Sequence, residues 1–165
     1  MADPMMLEFR KAAEEASEAQ HIHRALETLA NAHVGAKLFT LMTFDGETRL
    51  ASRCYSNMPD AYPCSGTKTI DSDRWTIQVL DKKQNFVAND INAIADVFDD
   101  HTLIQSLGCE SVLNVPIVFG GEVLGTINML HVAGFYTPER VAATEILKLP
   151  GSLCFLTEKL DQGGR

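Results

Sequence analysis

No apolar run in this 165-residue chain approaches the roughly 20 residues that a membrane-spanning helix needs. The opening, MADPMMLEFRKAAEEASEAQ, turns charged and alanine-rich without the apolar stretch of a signal peptide. A cytoplasmic location is expected. Basic charge is scarce as well: 14 Lys and Arg stand against 22 Asp and Glu, for a formal net charge of −8. Such a chain repels polyphosphate, and no basic, aromatic-interleaved stripe offsets that, so no nucleic-acid or membrane partner is expected. CxxC, HxxxH, P-loop and dinucleotide glycine patterns are all missing. His21 and His23 are two apart on a helical stretch and point different ways, while His33, His101 and His131 stand alone. The sequence therefore assigns no metal and no cofactor. Disulfides are not expected in a reducing compartment, and Cys54, Cys64, Cys109 and Cys154 are read as thiols.

What remains is the composition of an ordinary globular domain, 45% hydrophobic and 22% charged, long enough to bury a real core. Over residues 6–33, Ala12, Ala16, Ala19, Ile22, Leu26 and Leu29 recur at three- and four-residue steps, predicting one helix with a narrow apolar seam. A hairpin follows around Asp45-Gly46, then a loop punctuated by Pro59, Pro63 and Gly66. DSDRWTIQVLDKK reads as a short capped helix, NFVAND as a short strand, and INAIADVFDDHTLIQSLG as one or two helical pieces. YTPERVAATEILKL is a helix with Thr137 at its N-cap and Pro138 in its first turn. Pro150-Gly151 should kink or break it before SLCFLTEKL.

The stretch SVLNVPIVFGGEVLGTINMLH, residues 111–131, raises the question of function. Two Val/Ile/Leu-rich runs flank Gly120-Gly121, a hairpin signal, yet Asn114, Thr126 and Asn128 interrupt them. A two-residue turn would scatter these polar groups over both faces. A three-residue loop, Gly120-Gly121-Glu122, would instead pair Asn114 with Asn128 and Pro116 with Thr126, leaving Leu113, Val115, Ile117, Ile127 and Met129 on the other face. The second register segregates polarity and is the one expected. An unpaired buried amide costs roughly 1–3 kcal/mol, so the asparagines pair with one another, with loop backbone or water, or with a ligand in a cavity.

SLGCESVLNVPIVFGGEVLGTINMLHVAGFYTPERVAATEIL resembles the C-terminal half of a GAF domain: a Ser-x-Leu-x-Val-Pro-Ile strand, a glycine turn, a Val-Leu-Gly-Thr strand, and a helix opened by Tyr-Thr-Pro-Glu. NFVANDI resembles the strand that precedes them, and the pattern extends back to Ala36. The resemblance implies an α+β, PAS-like fold: a central antiparallel sheet with terminal helices on one face and a small-molecule pocket on the other. It implies an N-terminal helix over 1–35 for packing or dimerisation, the GAF domain over 36–160 and a tail over 161–165. GAF domains are small-molecule sensors that commonly dimerise through terminal helices.

A free methionine-(R)-sulfoxide reductase branch of the family is catalytic. The ten-residue spacing of Cys54 and Cys64, and the position of Cys109 before the SVLNVPI strand, resemble its cysteines. Against this, that branch writes carboxylates where Val112, Asn128 and Leu130 stand, and its nucleophile aligns with Gln105. The cysteine-histidine pair of bilin-binding members and the Asn-Lys-Phe-Asp-Glu signature of cyclic-nucleotide members are absent. The expected function is thus a non-catalytic sensor module. Arg53, Tyr62, Trp75, Asn114, Thr126 and Asn128 would bind a small organic ligand. The module would act as a homodimer and signal through a separate output partner. A divergent reductase using Cys54, Cys64 or Cys109, and an interaction module with a filled pocket, are the alternatives.

Overall fold

The computed structural model describes residues 1–163. Asp3 starts the chain's first helix, α1 (Pro4–Glu15), by accepting hydrogen bonds from the Met5 and Met6 amides at 2.8 and 3.1 Å. The backbone turns extended at Ala16, and α2 (Ala19–His33) runs back along α1, so that Asp3 meets His33 Nε2 at 3.1 Å. The single helix expected over 6–33 is therefore a helical hairpin. Its cause is Phe9, which a straight helix would leave in water; folding back buries it to 3% exposure against the core of which Ile22, Leu26 and Leu29 are part.

Six strands follow: β1 (Leu38–Asp45), β2 (Leu50–Ser56), β3 (Lys68–Thr69), β4 (Phe86–Ala88), β5 (Ser111–Phe119) and β6 (Glu122–His131). They form one sheet in the order β3-β2-β1-β6-β5-β4, every neighbouring pair antiparallel. The short edge strand β3 directly follows the loop punctuated by Pro59, Pro63 and Gly66, at residues to which the sequence assigns no element; with only two residues it has no alternation to detect.

Between β3 and β4 lies α3 (Arg74–Thr76), capped by Asp73 accepting from the Thr76 amide and continued as a π-turn over Ile77–Asp81. Two short helices, α4 (Ile91–Ala95) and α5 (His101–Ser106), connect β4 to β5. After β6 come α6 (Pro138–Ala142), a 3-10 turn over Ala143–Leu147 and α7 (Lys148–Gln162). The break expected at Pro150 thus occurs one turn earlier. A proline ring clashes with the carbonyl four residues back, here that of Ile146, so the chain tightens there and Pro150 occupies the first turn of α7. Gly151 then lets α7 lie close on Ile117 and Ile127. Of the tail predicted over 161–165, residues 161 and 162 continue α7 and 163 is a turn; 164 and 165 lie outside the described residues.

The sheet divides the core. On one face α1, α2 and α7 bury Phe39, Leu41, Leu113, Val115, Ile127 and Met129. On the other, the α3–α5 insert packs Val79, Phe86, Ile94 and Ile104 beside Val112 and Leu130. This is the α+β arrangement the sequence implied.

The register of β5 and β6 pairs Asn114 with Asn128 and Pro116 with Thr126, as expected, but by another route. Gly120 and Gly121 form a two-residue turn with φ of +60° and +83°, the doubly left-handed geometry of a type I′ hairpin. The extra residue is Leu124, bulged out where pairing steps from Ile117↔Gly125 to Val118↔Val123. A second bulge, at Cys54, separates Leu41↔Tyr55 from Met42↔Arg53. It leaves Cys54 and Tyr55 both in the helix-side core, while Arg53 lines the opposite face.

Candidate functional site

The sheet's insert-covered face is hollow. A cavity of about 600 Å³ lies between it and the α3–α5 insert, within the range of small-molecule sites. Its floor comes from the inward positions of the four middle strands: Leu38 and Thr40 of β1, Val112 and Asn114 of β5, Asn128 and Leu130 of β6, with Arg53 of β2 at one side. Its roof includes Tyr62, Trp75, Phe98 and Ile104.

A chain of hydrogen bonds crosses this floor. Trp75 Nε1 donates to Asn114 Oδ1 at 2.9 Å, Asn114 Nδ2 to Asn128 Oδ1 at 2.8 Å, and Asn128 Nδ2 to Thr40 Oγ1 at 3.2 Å. The indole nitrogen can only donate, so it forces Asn114 to present oxygen, and each amide in turn orients the next. Asn114, Asn128 and Thr40 are 3%, 7% and 5% exposed. The mid-strand asparagines are thus paired with each other, and the relay ends on a hydroxyl whose own hydrogen is still to be given.

At the mouth, Tyr62 Oη donates to Asp100 Oδ2 at 2.5 Å, joining the loop after β2 to the loop before α5. Burial and this bond push the Tyr62 phenol well above its ordinary pKa, keeping it protonated. The Arg53 guanidinium lies 4.9 Å from the Tyr62 ring centroid and donates through Nη1 to the Pro63 carbonyl at 3.1 Å. Its Nε is buried without a partner. Trp75 packs edge-on against Phe98, and Phe98 against Phe86. Asp71, Asp73, Asp99 and Asp100 also line the cavity, against two cations, Arg53 and Lys68.

Of the six ligand-binding residues predicted from sequence, Arg53, Tyr62, Trp75, Asn114 and Asn128 line this one cavity. Thr126 shares their strand face but is buried opposite Pro116 and Met42, outside the lining. Thr40, Phe98 and Asp100 also line the cavity, outside the predicted six. Thr40 carried the same signal as Asn114, a polar residue inside an apolar strand; Asp100 carried none.

None of the four cysteines lines the cavity, and all are free thiols. Cys54 belongs to the helix-side core and Cys109 to the insert-side core, so the sheet separates them; Cys64 is exposed. Burial pushes each of these three thiols above its ordinary pKa, Cys54 most of all with the Glu158 charge adding to it. A second hollow, about 330 Å³, lies between α1 and α2 against Phe9 and His21 and holds none of the predicted site residues.

The model of the GAF domain matches residues 12–147. Among solved structures, the GAF domain of a two-component sensor histidine kinase from Bacillus halodurans superposes with a TM-score of 0.68 at 16% identity, covering 91% of this chain and 100% of that one. The GAF domain/HD domain protein from Geobacter sulfurreducens gives 0.69 at 14%, over 87% and 96% of the two chains. A type II free methionine-R-sulfoxide reductase from Thermoplasma acidophilum gives 0.63 at 12%, over 82% and 90%. No curated protein sequence matches significantly. At these identities the structural neighbours share the fold alone, but the family model spans most of the chain: this protein belongs to the GAF domain family.

Proposed function

We propose that this GAF domain is a non-catalytic sensor that binds a small organic molecule in the cavity over Asn114 and Asn128. The observation that carries the reading is the cavity itself, with a buried amide relay on its floor. Aromatic walls at Trp75 and Phe98 suit a ring or aliphatic body, while the spare amide groups and the Thr40 hydroxyl suit its polar edge. Four carboxylates against two cations disfavour a polyanion and fit a neutral or zwitterionic ligand. The unpartnered Arg53 Nε then receives its acceptor.

The test is a thermal-shift screen of the purified protein against a metabolite library. At a hundredfold excess over Kd a ligand adds about 2.7 kcal/mol, a rise of roughly 5–10 °C for a domain of this size. Arg53→Met should reduce that rise without changing the melting temperature of the free protein much. A library without any stabilising compound would overturn the proposal, as would thioredoxin-coupled reduction of free methionine sulfoxide. The elevated thiols, and the sheet between Cys54 and Cys109, support the first reading over a reductase.

The dimerisation surface we place on α7. Leu149, Leu153 and Leu160 are 74%, 46% and 68% exposed, and with half-buried Leu156 they fall at 4-3-4 spacing on one stripe. The opposite side of α7 carries Gly151, Cys154 and Phe155 into the core. The stripe is the seam of a coiled-coil pair, which fits a second copy of this chain. Leu153→Glu should convert a dimer to a monomer in sedimentation equilibrium with the melting temperature of dilute protein little changed. A wild-type monomer at high concentration would rule the seam out.

A further inference from the structure

His23, on α2, is fully buried, yet neither of its ring nitrogens makes a hydrogen bond of good geometry. A buried imidazole left this way costs about 1–3 kcal/mol, so its surroundings invite a partner. Those surroundings come from two other elements. The β2 bulge turns Cys54 into the helical layer, and α7 brings Glu158. One ligand atom from each of His23, Cys54 and Glu158 lies within 4.8 Å of the other two, and His23 Nε2 stands 3.6 Å from Glu158 Oε1.

We propose that these three side chains bind a zinc-like divalent ion that pins α2, β2 and α7 together, on the opposite side of the sheet from the cavity. Around a tetrahedral zinc ion, bonds of about 2.0–2.3 Å set ligand atoms roughly 3.3–3.8 Å apart. The His23–Glu158 separation already falls there, and side-chain movement of about 1 Å closes the remainder. Imidazole, thiolate and carboxylate together select zinc or its cobalt substitute over magnesium and calcium, which take oxygen. The charges close: one dipositive ion, one thiolate and one carboxylate sum to zero, so the filled site buries no net charge. Binding breaks the Cys54 S–H bond, forms a metal–sulfur bond and releases one proton to solvent. Glu158 keeps 14% of its side-chain surface exposed, which gives the ion an entry path and a water the fourth position. Burial pulls the His23 pKa below its ordinary value, against the Cys154 backbone and the Asp161 charge, favouring the neutral ring that a metal needs.

The spacing rules could not show this site, since its ligands sit on three elements and 31 and 104 residues apart (54 − 23 and 158 − 54). The experiment is a cobalt titration of the metal-free 165-residue chain carrying Cys64→Ser, in which the one exposed thiol is gone. A thiolate-to-cobalt charge-transfer band and tetrahedral visible bands should saturate at one equivalent, be displaced by zinc, and accompany a rise in melting temperature. In that background Cys54→Ser should abolish the charge-transfer band. Glu158→Gln, at the partly exposed edge and thus safe for folding, should weaken binding at least tenfold. No charge-transfer band in the Cys64→Ser protein, or one that survives Cys54→Ser, would overturn the proposal. Either result leaves the cavity reading intact, because no cavity-lining residue takes part.

Discussion

Gly125→Ala should cost about 3 kcal/mol of folding stability, and Gly125→Val should cost more or prevent folding. Gly125 sits in the middle of β6, next to the Leu124 bulge, with its hydrogen side turned toward α7. A Cβ built there would lie 2.3 Å from the Met42 carbonyl oxygen and 2.6 and 2.8 Å from Phe155 ring carbons. The ring could shift only by disturbing a core in which Phe155 is 1% exposed. The carbonyl is worse placed to yield, because β1 is held by hydrogen bonds to β2 on one side and β6 on the other. Gly125→Ala combined with Phe155→Leu should therefore recover only part of the loss. For a chain of this length 3 kcal/mol is a fall in melting temperature of about 10 °C. Gly121→Ala is the control: nothing lies within 4 Å, so only its φ of +83° matters and the cost should stay near 1 kcal/mol. Urea unfolding of the four variants decides it. A Gly125→Ala midpoint equal to that of Gly121→Ala would mean that the close approach is not what selects glycine there.

Periodicity and turn chemistry carried most of this fold because they act within a few residues. The Gly-Gly turn, the Thr137-Pro138 helix start and the short capped helix at Asp73 are all local instructions. Departures occur where a distant contact decides. Helix 6–33 breaks because Phe9 has a core to reach, and nothing within that stretch says where the core is. Asn114 meets Asn128 as expected, through a two-residue turn and a bulge in place of a three-residue loop; the bulge at Leu124 has no signature in its own side chain. The same holds for Cys54. In an unbulged strand it and Tyr55 would face opposite ways, whereas both point into the helical layer. Of the cavity, the sequence disclosed the floor, since polar residues in apolar strands are anomalous. It disclosed less of the rim, where Asp99 and Asp100 look like any acidic loop.

The relay on the floor gives the second large effect. Asn114→Leu leaves the Trp75 indole N–H without its acceptor and Asn128 Oδ1 without its donor, and should destabilise the protein by about 2 kcal/mol. Trp75→Phe removes the orphaned donor, so the double variant should lose about 1 kcal/mol less than the sum of the single losses; additivity within 0.5 kcal/mol would deny the coupling. Asn114→Asp is the sharper probe because it preserves shape and reverses one polarity. A carboxylate accepts from Trp75 as the amide does, but it meets Asn128 Oδ1 with a lone pair in place of a proton. The buried Asp must therefore keep its proton to complete the chain, which raises its folded-state pKa above the unfolded value of about 3.9. A raised carboxyl pKa gives stability that is present below pH 3.9 and is lost as pH climbs through the folded value. Relative to wild type, Asn114→Asp should be least harmful near pH 4 and progressively worse toward pH 7, where it falls below Asn114→Leu. Chemical denaturation across that range reads the slope directly. A flat difference would mean that the carboxylate is satisfied without a proton, by water or by an Asn128 turned over to donate Nδ2 while its Oδ1 accepts the free Thr40 hydroxyl hydrogen, and the directional relay would then have no hold on the floor of the cavity.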